Sequence, residues 1–338
     1  MRHPAGYGER EPVKGKVQRG ILGAIGDTPL LEFDRVFTAS PFRVLAKMES
    51  FNPGGSVKDR TALNMLLEKV HSGELDPKRS VVVESSSGNL GVGLAQVCRY
   101  FGLRFICVVD GRTTGRNIEV LRALHCEVEI VAEPDPATGE YLPARLARVH
   151  ELLATVPHAY WPNQYANLRN PDAHQQTMRE IDAALDGKVD YLFCAVGTFG
   201  TLRGCAEYVH EHGLGTTIVG VDAVGSVIFG GPPAPRLIPG HGASVRPELL
   251  DTALVDAVVH ITDLESVAAC RRIVAKEAVL VGGSSGAVMA ALDKMTDTIE
   301  PGSNCVLIFP DGGDRYLDTI YSDAWVTANF GEVTHLWK

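Results

Sequence analysis

Short runs of apolar residues alternate along the chain with segments of helical periodicity. The apolar runs predict strands over residues 43–49, 80–84, 104–109, 128–131, 190–196, 218–222 and 305–310. Apolar residues spaced three and four apart predict helices over residues 57–71, 90–100, 117–124, 142–155, 202–210, 263–277 (capped by Asp263) and 286–295. In the first helix the buried face is expected to carry Leu63, Leu66, Leu67 and Val70. Strands that alternate with helices form parallel sheets covered by helices on both faces, so the pattern predicts an α/β fold.

Length and composition are those of a globular protein. The chain has 338 residues, 45% of them hydrophobic and 22% charged, so a disordered chain is excluded and about two domains are expected. The formal net charge is −9 and no long Lys/Arg run occurs, which disfavours binding to nucleic acid or to an anionic membrane. The longest apolar stretch, residues 279–292, is interrupted by Gly and Ser and is too short and too polar to span a bilayer.

The cysteines, the histidines and the N-terminal segment bear on the cellular compartment and on metal binding. The seven Cys residues are odd in number and form no C-x-x-C pair, which indicates reduced thiols in a cytoplasmic protein. The eleven His residues have no metal-ligand spacing, so no metal site is expected. Residues 1–20 are polar and basic, lack the apolar stretch of a secretory signal and are expected to form a loose tail.

Glycine accounts for 35 residues, and part of it lies in four clusters between a predicted strand and a predicted helix. Such junctions are where α/β proteins bind ligands. The first cluster, residues 52–60, carries Lys58 near the start of a helix, where the helix dipole disfavours a cation. A solvated lysine paired with Asp59 is the common structural explanation. The chemical explanation is a Schiff-base lysine beside an aldehyde cofactor.

The second and third clusters offer hydroxyl and backbone N–H groups at helix starts. In residues 84–91, a carboxylate could be bound, or the helix simply capped, by Ser86, Ser87 and Asn89. In residues 195–204, a phosphate could be wrapped by Gly197, Thr198, Gly200 and Thr201.

The fourth cluster, residues 281–287, offers the neutral hydroxyl of Ser284; the structural alternative is a packing turn. Residues 225–242 are rich in Gly and Pro and are predicted to form a long functional loop. No strand is followed by G-x-G-x-x-G, which disfavours a nicotinamide dehydrogenase.

In this order the four clusters resemble the fold type II pyridoxal-phosphate enzymes of the cysteine synthase and cystathionine β-synthase branch. The resemblance extends from about residue 25 to residue 323. It implies two three-layer α/β/α domains with mostly parallel sheets, and pyridoxal 5'-phosphate bound between them. The larger domain would comprise residues 1–51 and 163–338. The smaller, residues 52–162, would close over the substrate, and a homodimer is expected.

The same resemblance implies a role for each motif. Lys58 would hold the cofactor through its amine and, once displaced by the substrate, remove the Cα proton as general base. Asn89 would bind the phenolic oxygen of the cofactor, and Ser284 would face the pyridine nitrogen. The cofactor phosphate would be held by Gly197, Thr198, Phe199, Gly200 and Thr201. The substrate carboxylate would be held by Ser86, Ser87, Asn89 and Gln164.

Two residues depart from the usual motifs of that branch. Phe199 stands where the phosphate-binding motif has Gly, and Leu90 stands where the carboxylate loop has Thr. Leu90 fits the subgroup of synthases that opens 2,3-diaminopropionate biosynthesis in siderophore and peptide-antibiotic pathways. Four further segments resemble that subgroup: residues 159–167, 221–230, 239–244 and 310–318.

The subgroup resemblance implies a substrate pair. O-Phospho-L-serine, or another activated serine, would give an aminoacrylate that is attacked by the amine of L-glutamate, forming N-(2-amino-2-carboxyethyl)-L-glutamate. Glutamate brings carboxylates of its own, which Arg can hold with a bidentate fork. Arg145 and Tyr165 are the candidates, with Arg315 third, and for each Arg the alternative is a surface ion pair. A leaving phosphate would have to be met by Arg112, Arg116 or Arg236.

Other functions remain open at this point. The nearest is an O-acetylserine or O-phosphoserine sulfhydrylase, which uses sulfide in place of glutamate. A serine dehydratase or racemase of the same fold would need no second nucleophile. A protein of another class, a non-catalytic scaffold, would keep the fold without turnover, but the presence of Lys58 disfavours it.

Overall fold

The computed structural model describes residues 18, 20–38 and 40–337. The strands are β1 (Leu30–Glu32), β2 (Arg43–Met48), β3 (Val81–Ser85), β4 (Arg104–Asp110), β5 (Glu127–Val131), β6 (Ala159–Tyr160), β7 (Tyr191–Ala195), β8 (Thr217–Ala223), β9 (Ala257–Ile261) and β10 (Asn304–Phe309). The α-helices are α1 (Lys58–His71), α2 (Asn89–Phe101), α3 (Gly115–Ala123), α4 (Tyr141–Thr155), α5 (Arg169–Ala184), α6 (Gly200–Glu211), α7 (Asp263–Glu277), α8 (Gly283–Met295) and α9 (Asp323–Phe330). The predicted loose tail falls almost wholly outside the described residues.

The strands form two sheets. The larger has the order β1-β2-β10-β7-β8-β9, in which β1 is antiparallel to β2 and the other neighbours are parallel. The smaller, β5-β4-β3-β6, is parallel throughout. The predicted α/β fold with mostly parallel sheets is confirmed. Parallel strands bring their carboxyl ends to one edge, and three of the glycine clusters follow β2, β3 and β7 there.

Apolar side chains pack on both faces of each sheet, so each sheet is the middle of three layers. On the larger sheet, one core contains Val288 of α8 and the other contains Leu202 of α6. On the smaller sheet, one core contains Leu94 of α2 and the other contains Val149 of α4. Leu22 is 1% exposed and belongs to the same core on the smaller sheet as Leu94. The domain boundaries stay a prediction.

Every strand and helix predicted from the pattern is present, with ends shifted by at most three residues. One cap is wrong. Thr262, not Asp263, caps α7, because Thr262 has the extended backbone of an N-cap and forms a capping box with Glu265. The pattern did not reveal β1, β6, β9, α5 and α9. Residues 224–251 contain no helix or strand, as expected for a long loop.

The buried face of α1 also differs from the prediction. The most buried apolar side chains are Ala62, Met65 and Leu66, whereas Leu63, Leu67 and Val70 are only partly buried. The first turn buries polar residues as well, among them Arg60. The deepest face of the helix is therefore partly polar, which an apolar pattern cannot reveal.

A buried ion cluster fixes α1 against the larger sheet. Arg60 Nε lies 2.7 Å from Glu49 Oε2, and Arg60 Nη2 lies 2.7 Å from Glu180 Oε2. Lys47 Nζ lies 2.6 Å from Glu180 Oε2. These four side chains are at most 8% exposed. Since buried charges are stable only when paired, the cluster constrains the helix whose first residue is Lys58.

All seven cysteines are buried and none forms a disulfide. Burial raises the pKa of Cys194, Cys270 and Cys305 to about 12. In the described part of the chain, no helix is both long and apolar enough to cross a membrane. Among the same residues, no cluster of three or more His, Cys, Asp or Glu side chains could hold a metal ion.

Candidate active site

Three chain segments meet at the end of β10. Val57 N–H donates to the Pro310 carbonyl over 2.8 Å, and Gly282 N–H donates to the Asp311 carbonyl over 3.1 Å. An isolated bridge also pairs residue 56 with residue 311. The starts of α1 and α8 are therefore held side by side, which brings Lys58 and Ser284 to one site.

Lys58 is the first residue of α1, and its side chain is half-buried. Desolvation lowers the pKa of its amine, against the raising effect of Cys194 and Asp311 nearby. The surface pair with Asp59 does not form, because Asp59 is fully buried and accepts the Gly54 N–H over 2.5 Å. Burial raises the pKa of Asp59 to about 7. A lowered pKa increases the fraction of the amine that is neutral, which is the form that acts as a nucleophile or base.

The predicted phosphate-binding segment, residues 197–201, forms the turn into α6. Helix α6 begins at Gly200, so free backbone N–H groups and the hydroxyls of Thr198 and Thr201 lie together. Close packing explains the glycines: a Cβ at Gly200 would lie 2.2 Å from Asn170 Oδ1. A helix start with added hydroxyls is a suitable site for a phosphate.

Phe199 adopts the backbone conformation of a glycine. Its φ of 71° and ψ of −5° lie in the left-handed region, which costs a residue with a side chain about 1–3 kcal/mol. The ring is 2% exposed and packs edge-on against Phe229, with 6.1 Å between ring centroids. Burial of the ring offsets the backbone strain. Phe199, which replaces the usual glycine, therefore adds a ring that packs against Phe229, while the backbone at this position keeps the conformation of a glycine.

Helix α5, which the pattern did not reveal, supports this segment from behind. Asn170 is fully buried, and its Nδ2 donates to Thr198 Oγ1 over 3.2 Å and to the Gln164 carbonyl over 2.8 Å. Its Oδ1 accepts from Thr61 Oγ1 over 3.2 Å. One side chain thus connects α1, the phosphate-binding segment and Gln164.

His174, one turn further along α5, makes a second connection. Its Nε2 lies 3.0 Å from Thr61 Oγ1 and 3.3 Å from Thr201 Oγ1. Desolvation, together with the charges of Lys58 and Arg60, holds its pKa well below the ordinary value. The imidazole is therefore neutral and links α1 to α6 through hydroxyl groups.

Ser284 is the second residue of α8 and is 6% exposed. The glycines before it are required by close approach, since a Cβ at Gly282 would lie 1.8 Å from Asp311 Oδ1 and one at Gly283 would lie 2.4 Å from Ile238. The packing-turn explanation accounts for these glycines. The Ser284 hydroxyl is a further, neutral polar group in the site.

The two serines of the carboxylate segment differ in what they contact. Ser86 Oγ accepts the Gly91 N–H over 3.0 Å and the Gly88 N–H over 3.4 Å, so the capping explanation holds for Ser86. Ser87 is half-buried, and its carbonyl accepts from Asn117 Nδ2 over 3.0 Å. The Ser86 hydroxyl can still donate its own proton.

Asn89 is the first residue of α2, and both ends of its amide are bonded. Nδ2 donates to Asp311 Oδ2 over 2.8 Å, and Oδ1 accepts from Arg315 Nη1 over 2.6 Å. Arg315 Nη2 also donates to the Gly54 carbonyl over 2.6 Å. Arg315, our third candidate for holding glutamate, is therefore already engaged by other groups.

Gln164 and Glu84 lie at the end of β3. Gln164 is 6% exposed, and its Nε2 donates to the Ser85 carbonyl over 3.4 Å, which places it beside the carboxylate segment. Glu84 is fully buried, and its Oε1 accepts from Trp161 Nε1 over 2.9 Å and from Ser85 N–H over 2.8 Å. Burial raises the pKa of Glu84 to about 7 against these hydrogen bonds. Sequence reasoning missed Glu84, although it opens the second glycine cluster.

Arg145 pairs with Asp110, the last residue of β4. Its Nε lies 3.3 Å from Asp110 Oδ2, and the two side chains are only 11% and 7% exposed. Arg145 thus forms an ion pair, as the alternative explanation expected, but the pair is largely covered and does not lie on the surface. Burial raises the pKa of Tyr165, with Arg145 lowering it and Glu84 raising it. The structure therefore brings Arg145 and Glu84 within electrostatic range of Tyr165.

The three candidates for a leaving phosphate differ in their partners. Arg112 lies 4.7 Å from the centroid of the Tyr141 ring, and Arg116 Nη1 donates to the Asp314 carbonyl over 2.7 Å. Arg236 has two buried nitrogens, Nε and Nη1, that lack a hydrogen-bond partner among the described residues. Only Arg236 of the three thus has buried donors left to satisfy.

The donor set of this site fits pyridoxal 5'-phosphate. The lowered pKa of the Lys58 amine suits an aldehyde, and the start of α6 suits a phosphate. The Asn89 amide and the Ser284 hydroxyl, at the starts of α2 and α8, suit a polar ring. These are the three parts of the cofactor.

Comparisons with known proteins agree with this chemistry. The family model for pyridoxal-phosphate dependent enzymes matches residues 21–311. One similar solved structure is an O-acetylserine dependent cystathionine β-synthase from Helicobacter pylori, with 32% identity, a TM-score of 0.82 and coverage of 91% of this chain and 100% of that chain. A second is an O-acetyl serine sulfhydrylase isoform 3 from Entamoeba histolytica, with 30% identity, a TM-score of 0.84 and coverage of 93% and 94%. A third is an O-ureido-L-serine synthase, with 28% identity, a TM-score of 0.82 and coverage of 94% and 98%. The chain therefore belongs to the pyridoxal-phosphate dependent enzyme family, as a β-replacement enzyme of its cysteine synthase branch.

Proposed function

We propose that the protein joins O-phospho-L-serine to the amine of L-glutamate and forms N-(2-amino-2-carboxyethyl)-L-glutamate for 2,3-diaminopropionate biosynthesis. The observation that carries this proposal is the nearly buried Arg145 guanidinium, which pairs with Asp110 and lies within electrostatic range of Tyr165. A sulfide acceptor needs no cation there. Glutamate brings carboxylates that must be neutralised once they leave water.

The residues around Lys58 would bind and activate the serine substrate. Bound pyridoxal 5'-phosphate supplies an electron sink for the charge that develops at the substrate Cα. Lys58 Nζ would hold the cofactor and then take the Cα proton, for which its lowered pKa is suited. Ser284 would offer the pyridine nitrogen a hydroxyl and not a carboxylate that keeps the nitrogen protonated, which favours elimination over transamination. The cofactor phosphate would be held by Gly197, Thr198, Phe199, Gly200 and Thr201.

The carboxylate of the serine substrate would be held beside the end of β3. Ser87, Gln164 and the first-turn backbone N–H of Asn89 would donate to it, together with the Ser86 hydroxyl, which also caps α2. The Asn89 side-chain amide would donate to the phenolic oxygen of the cofactor. Several donors on one carboxylate fix its orientation, so that the Cα–H bond faces Lys58 and the leaving group faces away.

Arg145 and Tyr165 would receive a carboxylate of glutamate. Arg145 Nε lies 3.3 Å from Asp110 Oδ2, but the two atoms do not form a hydrogen bond, so Nε has no hydrogen-bond partner among the described residues. A substrate carboxylate can therefore take over the guanidinium from Asp110. The raised pKa of Tyr165 keeps its hydroxyl protonated, so that it donates to the same carboxylate.

Arg236 would meet the leaving phosphate. Its Nε and Nη1 are buried and unpartnered. Nη1 lies beside Gly242, where a Cβ would be 2.6 Å away, and Gly242 N–H donates to the Val196 carbonyl over 2.7 Å. The guanidinium is therefore next to the turn that begins at residue 197.

The proposal is tested by comparing Arg145→Ala with Arg148→Ala. Arg148 lies on the same helix but forms half-exposed pairs with Glu129 and Glu151. We expect Arg145→Ala to raise the KM for glutamate about 10- to 100-fold and to leave the KM for O-phosphoserine unchanged, whereas Arg148→Ala changes neither. An unchanged glutamate KM in folded Arg145→Ala would remove Arg145 from the site.

The second candidate function is an O-acetylserine or O-phosphoserine sulfhydrylase. It is favoured by the similarity to a protein named O-acetyl serine sulfhydrylase. Assays with each serine ester and either glutamate or sulfide separate the two functions, because only the proposed synthase consumes glutamate. A non-catalytic scaffold would consume neither ester. The homodimer and the closing movement of the smaller domain stay predictions.

A further inference from the structure

The amide of Asn89 is held so that its two ends cannot exchange. Nδ2 donates to Asp311 Oδ2, and Oδ1 accepts from Arg315 Nη1. A carboxylate only accepts hydrogen bonds, and a guanidinium only donates them. The two partners therefore determine which end of the amide is nitrogen. They also leave one N–H of Nδ2 unbonded to either.

Asp311 is itself held rigidly. It is 2% exposed, and its Oδ2 also accepts from the Tyr316 hydroxyl over 2.7 Å. Its Oδ1 is buried without a hydrogen-bond partner among the described residues and faces Gly282, where a Cβ would lie 1.8 Å away. The carboxylate can approach this closely only because residue 282 has no side chain.

Arg315 is held at its other nitrogen. Nη2 donates to the Gly54 carbonyl over 2.6 Å, in the turn that precedes α1. Asn89, Asp311 and Arg315 thus join three segments: the start of α2, the chain after β10 and the turn before Lys58. Asp311 is also within electrostatic range of Lys58, so these three residues lie close to the candidate active site.

We propose that Asp311 and Arg315 are positioning residues that orient the Asn89 amide, so that its remaining N–H is directed at the phenolic oxygen of bound pyridoxal 5'-phosphate. The inference rests on the proposed role of Asn89. With the amide reversed, a carbonyl oxygen would face that oxygen, and an attraction would become a repulsion. Asp311 and Arg315 act through Asn89 and need not touch the cofactor.

The test compares Asp311→Asn with Asp314→Asn, each as holoenzyme. An amide at position 311 can donate or accept, so only Arg315 would still favour one orientation of Asn89. We expect Asp311→Asn to shift the visible absorbance maximum of the bound cofactor and to weaken cofactor binding about tenfold. Asp314 has a side chain that is 62% exposed and pairs with Arg116, so Asp314→Asn should keep both values.

A double-mutant cycle with Asn89→Ala shows whether Asp311 acts through Asn89. If it does, the double variant has the absorbance and the cofactor Kd of Asn89→Ala alone, within about twofold. Effects that multiply would overturn the positioning role, as would wild-type absorbance and Kd in folded Asp311→Asn. If Asn89→Ala itself keeps wild-type values, the role of Asn89 fails, and the inference fails with it. Arg315→Met, which removes the donors at similar length, should reproduce the shift and serves if Asp311→Asn does not fold.

Discussion

The site that we propose has two halves, which would bind their ligands by different chemistry. The half that we call the cofactor side would present a lysine and neutral groups to the cofactor: Lys58, Ser284 and residues 197–201, supported by neutral His174. The charged Asp311 and Arg315 on this side bind the Asn89 amide. The half that we call the acceptor side consists of charged or titratable groups that are buried, Glu84 and Asp110, or partly buried, Arg145 and Tyr165. A cofactor that remains bound can be held by preorganised dipoles. A substrate that must leave again is better held by a charge that has another partner to return to, and Asp110 is that partner for Arg145.

The largest effect is expected from the one amine on the cofactor side. Lys58→Ala should lower kcat by about 10³-fold or more, because both cofactor attachment and proton removal at Cα are lost. The visible absorbance of the purified protein should disappear with it, as measured by spectrophotometry. Lys78 is exposed, and Lys78→Ala should retain both activity and absorbance. Substantial turnover by Lys58→Ala would show that the cofactor side has been assigned to the wrong residue.

A smaller effect on stability is expected from the acceptor side. Burial raises the pKa of Glu84 from its ordinary value of 4.5 to about 7, so the folded protein keeps a proton that the unfolded chain has lost. The free energy of unfolding should therefore fall as the pH rises from about 4.5 to about 7, and then level off. Glu84→Gln is neutral throughout and should gain about 1–3 kcal/mol relative to the wild type between pH 5 and pH 8.

Urea unfolding of both proteins at the two pH values measures this difference. Glu74 has a side chain that is 60% exposed, and Glu74→Gln provides the matched control. Parallel pH dependence in the wild type and in Glu84→Gln would mean that Glu84 is ionised in the folded state. Glu84 would then add a negative charge to the acceptor side of the folded protein.

The smallest effect tests the strained turn on the cofactor side. Phe199→Gly and Phe199→Ala both lose the ring, but only the alanine variant keeps a side chain at a left-handed backbone position. The glycine variant should be more stable by about 1 kcal/mol in urea unfolding. Phe229 has no such backbone, and there alanine should be the more stable replacement. The same order at both positions would contradict the left-handed assignment.

Sequence reasoning succeeded where chemistry is local to one segment. Lys58, the turn at residues 197–201 and Ser284 each lie within a short glycine cluster at the start of a helix, so their spacing alone indicated a site. Helix α5 was missed for the opposite reason. Its buried face carries Asn170, His174 and Thr177, and a polar buried face gives no apolar periodicity.

The arrangement of charges could not be predicted, because it depends on residues far apart in the chain. Arg145 and Asp110 are separated by helix α3, strand β5 and the start of α4, and nothing in the sequence shows that their pair is buried. Asn89 meets Asp311 and Arg315 only because β10 ends beside the start of α2. Burial, which gives Glu84 its raised pKa, is a property of the packed chain and not of any motif.

The burial of all seven cysteines has a practical consequence for measuring motion. Thiols that are covered and have raised pKa values react slowly with alkylating dyes, so a cysteine added on the surface would be labelled selectively in the folded protein. Lys78 and Lys188 are exposed and lie just before β3 and β7, one beside each sheet, so Lys78→Cys and Lys188→Cys would supply the two labelling sites. A donor and an acceptor fluorophore at these positions would report, by energy transfer, whether the distance between the two sheets changes when substrate is added.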